Sequence, residues 1–61
     1  MRHDGIPDDG DICIIWNSPD QAEQCEMRDG NAYLWRHGIT DDLFCHGVEI
    51  LKWRGCGGFD F

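Results

Sequence analysis

Sixty-one residues allow one domain, because a chain this short buries only about 60% of the surface its unfolded form exposes. Twelve Asp and Glu against five Lys and Arg leave a formal charge of -7, which repels phosphate and argues against direct binding to nucleic acid or an anionic membrane. The apolar fraction of 41%, with three Trp, three Phe and one Tyr, is enough for a small core, and no apolar run approaches the roughly 18 residues of a membrane span.

Residues 1–10 hold two Gly, one Pro and three Asp, with Ile6 as a core candidate. An extended N-terminal arm is expected there, followed over 11–61 by a single small β domain with a Gly-rich C-terminal tail. Met1 leads into the polar Arg2, His3 and Asp4 rather than an apolar signal core, so the expected location is cytoplasmic, where the four cysteines stay reduced.

Residues 11–16, Asp-Ile-Cys-Ile-Ile-Trp, are β-branched and aromatic with apolar side chains on both faces, which predicts a buried strand. It stops at Asn17, Ser18, Pro19 and Asp20, a turn composition. Residues 21–37 read as a hairpin, because Asp29 and Gly30 supply the positive φ angles of a two-residue type I′ loop. That loop sets Arg28 opposite Asn31, Met27 opposite Ala32, Cys25 opposite Leu34 and Glu23 opposite Arg36. One face is then apolar and ends in an ion pair. The other carries Gln24, Glu26 and Arg28 against Trp35, Tyr33 and Asn31. A three-residue loop would leave Leu34 among the charges, so the two-residue register is preferred.

Thr40 before Asp41 and Asp42 is an N-cap pattern with acids in the first turn, and Gly47 can end the segment, which predicts one turn of helix. Residues 48–53 resume strand chemistry, with Val48 and Ile50 facing one way and Leu51 and Trp53 the other. Residues 54–58 are too glycine-rich to pack, and Phe59, Asp60 and Phe61 close the chain. The expected fold class is mostly β: a small antiparallel SH3-like barrel or bent sheet with one short helical turn.

Three stretches carry a resemblance: Gly10-Asp-Ile-Cys-Ile-Ile15, Gly30-Asn-Ala-Tyr-Leu-Trp-Arg36 and Val48-Glu-Ile-Leu51. Over residues 10–53 the chain resembles short SH3-like barrel proteins of phages and prophages. The resemblance implies a small barrel and, for a phage-encoded chain, the host cytosol. Proteins of that kind are diverse in role, so it carries over no functional residue.

Four cysteines and three histidines are enough for a zinc site, but Cys13, Cys25, Cys45 and Cys56 form no C-x-x-C knuckle. Plain thiols are the reading, and no cofactor or metal is expected. Cys56, between glycines and near Arg54, reads as an exposed bystander, since no activating base can be named for it. Nor does spacing give His37 or His46 an orienting aspartate. The chain has no nucleophile elbow, phosphate loop or metalloprotease motif, and so small a domain has little room for a pocket of several hundred cubic ångströms. An enzyme is not expected.

The acids collect at Asp8, Asp9 and Asp11, between Asp20 and Glu26, and at Asp41 and Asp42. Carboxylates spaced on a rigid small domain can imitate duplex phosphates, while nearby aromatics supply apolar anchors. The register sets Tyr33 and Trp35 on the hairpin's polar face, and large aromatics rimmed by charge mark a protein interface unless the chain termini cover them. The expected partner-binding residues are therefore Glu26, Tyr33, Trp35, Asp41 and Asp42, with Asp8, Asp9 and Asp11 beside them. The partner is a protein with a basic surface, neither nucleic acid nor membrane. The functional reading is a small acidic protein that inhibits or modulates a basic host macromolecule, such as a nucleic-acid enzyme, as a charge mimic. Two alternatives stand against it: an SH3-like interaction or structural module without mimicry, and a zinc-stabilised small domain. Salt dependence separates the first two, and metal content the third.

Overall fold

A computed structural model describes residues 5–55. Within them five strands, β1 (Ile12–Ser18), β2 (Gln21–Arg28), β3 (Asn31–Leu34), β4 (Leu43–Cys45) and β5 (Lys52–Gly55), form one antiparallel sheet in the order β4-β3-β2-β1-β5. A 3-10 turn, Gly47–Glu49, precedes β5. The protein is mostly β, as its strand-forming runs and tight turns dictate.

The hairpin register is the one that the Asp-Gly loop imposes. Asp29 has φ 52° and Gly30 φ 79°, and Cys25 stands opposite Leu34, Glu26 opposite Tyr33, Met27 opposite Ala32 and Arg28 opposite Asn31. Beyond Leu34 the expectation fails: Glu23 and Arg36 do not pair. Arg36 instead exchanges both backbone hydrogen bonds with Ile39, at 3.0 and 2.9 Å, around a second two-residue turn. In that turn His37 has φ 54° and Gly38 φ 80°, the same pair of left-handed residues as at Asp29 and Gly30.

The expected helix over 40–47 is not formed. Leu43, Phe44 and Cys45 build β4 instead, Tyr33 pairing with Leu43 and Ala32 with Cys45, so that Phe44 is the extra residue of a bulge. The expected strand over 48–53 is also corrected, because Gly47–Glu49 coil into the 3-10 turn and β5 begins at Lys52. The His46 backbone N–H donates to a Glu49 carboxylate oxygen at 2.7 Å, and the Glu49 N–H donates to the His46 carbonyl at 2.8 Å, which closes the turn. Val48 is 90% exposed. Gly55 belongs to β5, paired with Cys13, and the remaining residues of the expected tail lie outside the described ones.

The core is Cys13, Ile15, Cys25, Met27, Ala32 and Cys45, with Leu34, Phe44, Ile50 and Trp53 packed against it. Phe44 and Trp53 come from the two edge strands. The core therefore runs across the whole sheet, from β4 at one edge to β5 at the other. The segment before β1 joins the same body: Pro7 is buried, the Gly10 N–H donates to the Met27 carbonyl at 2.8 Å, and the Met27 N–H donates to the Asp11 carbonyl at 2.9 Å.

Candidate protein-binding face

Successive residues of a strand point to opposite faces, so burying Cys25, Met27 and Ala32 turns Glu26, Tyr33 and their row outward. The register places Ile12, Glu26, Tyr33 and Leu43 side by side across four strands. Tyr33 is half-buried, with the Arg28 guanidinium 4.2 Å from its ring centroid, a cation–π contact that fixes the ring. Leu43 is 43% exposed on its other side. Trp35, also half-buried, continues this face beyond β3, and its backbone N–H donates to the Gln24 carbonyl at 2.8 Å.

Asp41 and Asp42 are exposed and enter the same region through β4. The Leu34 N–H donates to the Asp42 carbonyl at 2.8 Å, which brings the backbone of this acidic pair beside the Tyr33–Leu43 pair. Glu26 on β2, Tyr33 on β3, Trp35 just after β3 and Asp41 and Asp42 just before β4 are thus neighbours along adjoining segments. Asp8 and Asp9 are not gathered with them. Asp8 and Asp9 sit toward the tip of the hairpin, where an Asp9 carboxylate oxygen accepts the Gly30 N–H at 2.9 Å, while Asp11, whose carbonyl accepts the Met27 N–H, lies beside β2 one position from the Ile12–Glu26 pair. Gly30 and Leu34 stand at opposite ends of β3, roughly 13 Å of extended chain apart.

Sequence reasoning missed two apolar members of this neighbourhood, Leu43 and Ile39, the latter 60% exposed beside the His37–Gly38 turn. The dipeptide His37-Gly38 was the available signal, since a left-handed residue before glycine closes a hairpin and would have placed a strand after it.

Elsewhere the chemistry is subdued. Cys13, Cys25 and Cys45 are free thiols in the core, and among the described residues no group of three or more His, Cys, Asp or Glu could hold a metal ion. Burial pushes the Cys25 thiol up to about 12, with Cys45, Glu23 and Cys13 adding to it; burial and then Glu49 raise Cys45. Raised thiols are poor nucleophiles at neutral pH. Cys56 lies outside the described residues. A cleft of about 300 Å³, lined by Trp16, Ser18, Pro19, Leu51 and Lys52, is larger than so short a chain was expected to hold, and sits at the lower limit of ligand-pocket size. None of the expected site residues lines it. No helix among the described residues is long and apolar enough to cross a membrane.

Comparison of the chain with protein-family models, with curated proteins and with solved structures finds no match.

Proposed function

We propose that this chain is a small acidic binding protein that docks on a basic surface of another macromolecule and so inhibits or modulates it, as a phage-type inhibitor would. The observation that carries the reading is the pairing of Tyr33 with the exposed Leu43, bordered by Glu26 on one side and by Asp41 and Asp42 on the other. An apolar centre with a charged rim is how interfaces are built, and here Glu26, Asp41 and Asp42 give the rim an acidic balance. Arg28, the cation beside this row, is already engaged with Tyr33.

Mimicry of nucleic acid is the finer part of the proposal, and competition tests it. Immobilised protein captures its partner from host lysate at low salt, and duplex DNA is then added. A charge mimic is displaced by the duplex and by rising salt; an interaction module without mimicry releases its partner to neither.

A further inference from the structure

We infer that β4 is a docking edge, and that the occupant is an extended segment of the partner with alternating apolar and basic side chains, added to the sheet as a sixth strand. The inference rests on the protein-binding reading above and states how that face is used. β4 is the outermost strand of the order β4-β3-β2-β1-β5, so one of its sides has no neighbouring strand among the described residues. The antiparallel ladder determines which groups point that way. Leu34 and Asp42 form a hydrogen-bonded position, so the next pair, Tyr33 with Leu43, is a non-hydrogen-bonded one, and the N–H and C=O of Leu43 face away from β3.

The two edges of the sheet differ in their protection. β5 carries Lys52 and Arg54, the kind of charge that keeps an edge from pairing with other chains. β4 is Leu43-Phe44-Cys45, without a charge or a proline, and its shortness and bulge limit it to a short partner strand rather than open-ended stacking. Charge selects that strand. Asp41 and Asp42 stand just before β4, and Asp42, paired with Leu34, falls on the opposite face from Leu43, so basic side chains on that face are favoured beside a docked apolar residue that rests on Leu43 and Tyr33. Main-chain hydrogen bonds would supply affinity and the alternating side chains specificity.

The test uses the full chain, isotope-labelled, with two synthetic probes: a short peptide of alternating lysine and valine, and the same peptide N-methylated at alternate residues. Both carry the same charge, but only the first can extend a sheet. The expected result is that the unmethylated peptide slows amide exchange at Leu43 by about tenfold or more and the methylated one does not. Equal, salt-sensitive binding of both peptides would overturn strand addition and leave the acidic-face reading standing. Protection of residues 52–55 instead would assign docking to the wrong edge. Failure of both peptides to shift any amide signal at low salt would sink the inference and the reading beneath it together.

Discussion

Asp9 holds Gly30: a carboxylate oxygen of the one accepts the backbone N–H of the other at 2.9 Å, tying the segment before β1 to the tip of the central hairpin. This acid therefore has structural work, apart from any partner. Asp9→Ala removes the acceptor and is expected to cost about 1 kcal/mol, measured as a lower urea midpoint, while leaving association with a basic partner nearly unchanged. A variant as stable as the parent would mean that the bond does not form in solution.

Gly47 is buried against the same turn. A Cβ on Gly47 would collide with the Gly30 carbonyl oxygen, and its N–H donates to the Asn31 side-chain oxygen at 3.1 Å. Because backbone, not a flexible side chain, blocks the space, Gly47→Ala should destabilise by roughly 2 kcal/mol or more. Gly30→Val meets no obstacle but must hold φ near 79°, at an expected cost of about 1 to 3 kcal/mol. Thermal melts of both variants check the pair.

The core thiols make an alkaline prediction. Cys25 ionises near 9.0 when unfolded but only near 12 in the fold, so the stability it contributes is complete below pH 9.0 and is lost as pH rises toward about 12. Across that window each such thiol tilts stability by up to about 1.4 kcal/mol per pH unit. Urea unfolding at a series of alkaline pH values should show the decline, and Cys25→Ala should flatten it. At neutral pH, Cys13, Cys25 and Cys45 should react slowly with a thiol reagent and fast once denatured; rapid native reaction of all three would contradict their burial.

Trp35 separates binding from folding. It is half-buried and continues the outer face, while its structural bond uses only backbone N–H. Trp35→Ala should fold and lose about 2 kcal/mol or more of partner binding. If the variant unfolds, Trp35 is a core residue and the binding face must be drawn without it.

The central hairpin was legible in the sequence because one dipeptide, Asp29-Gly30, determines its loop and hence the side each residue faces. Cys25, Met27 and Ala32 are thereby sent into the core, and Glu26, Tyr33 and Trp35 onto the outer face. The last third was misread for definite reasons. Thr40, Asp41 and Asp42 have N-cap chemistry, but the His37–Gly38 turn returns the chain beside β3, where hydrogen bonds to the sheet outweigh a helical nucleus of one turn. Val48 and Ile50 have strand propensity, yet the close approach of Gly47 to Gly30 and the Glu49 cap on His46 coil the backbone there. Of the site, the charges and aromatics could be read in advance. Leu43 could not, because its role depends on β4, and the separation of Asp8 and Asp9 from Asp41 and Asp42 depends on which end of the hairpin each meets.

An acidic rim around Tyr33 and Leu43 that steers a basic partner must show itself in the salt dependence of association. Association rates of the captured partner are measured over a range of ionic strength for the parent chain and for Asp41→Asn with Asp42→Asn. Slower association at low salt and a flatter salt dependence are expected in the variant, with little change in dissociation. Identical rates and slopes for the two proteins would contradict that steering.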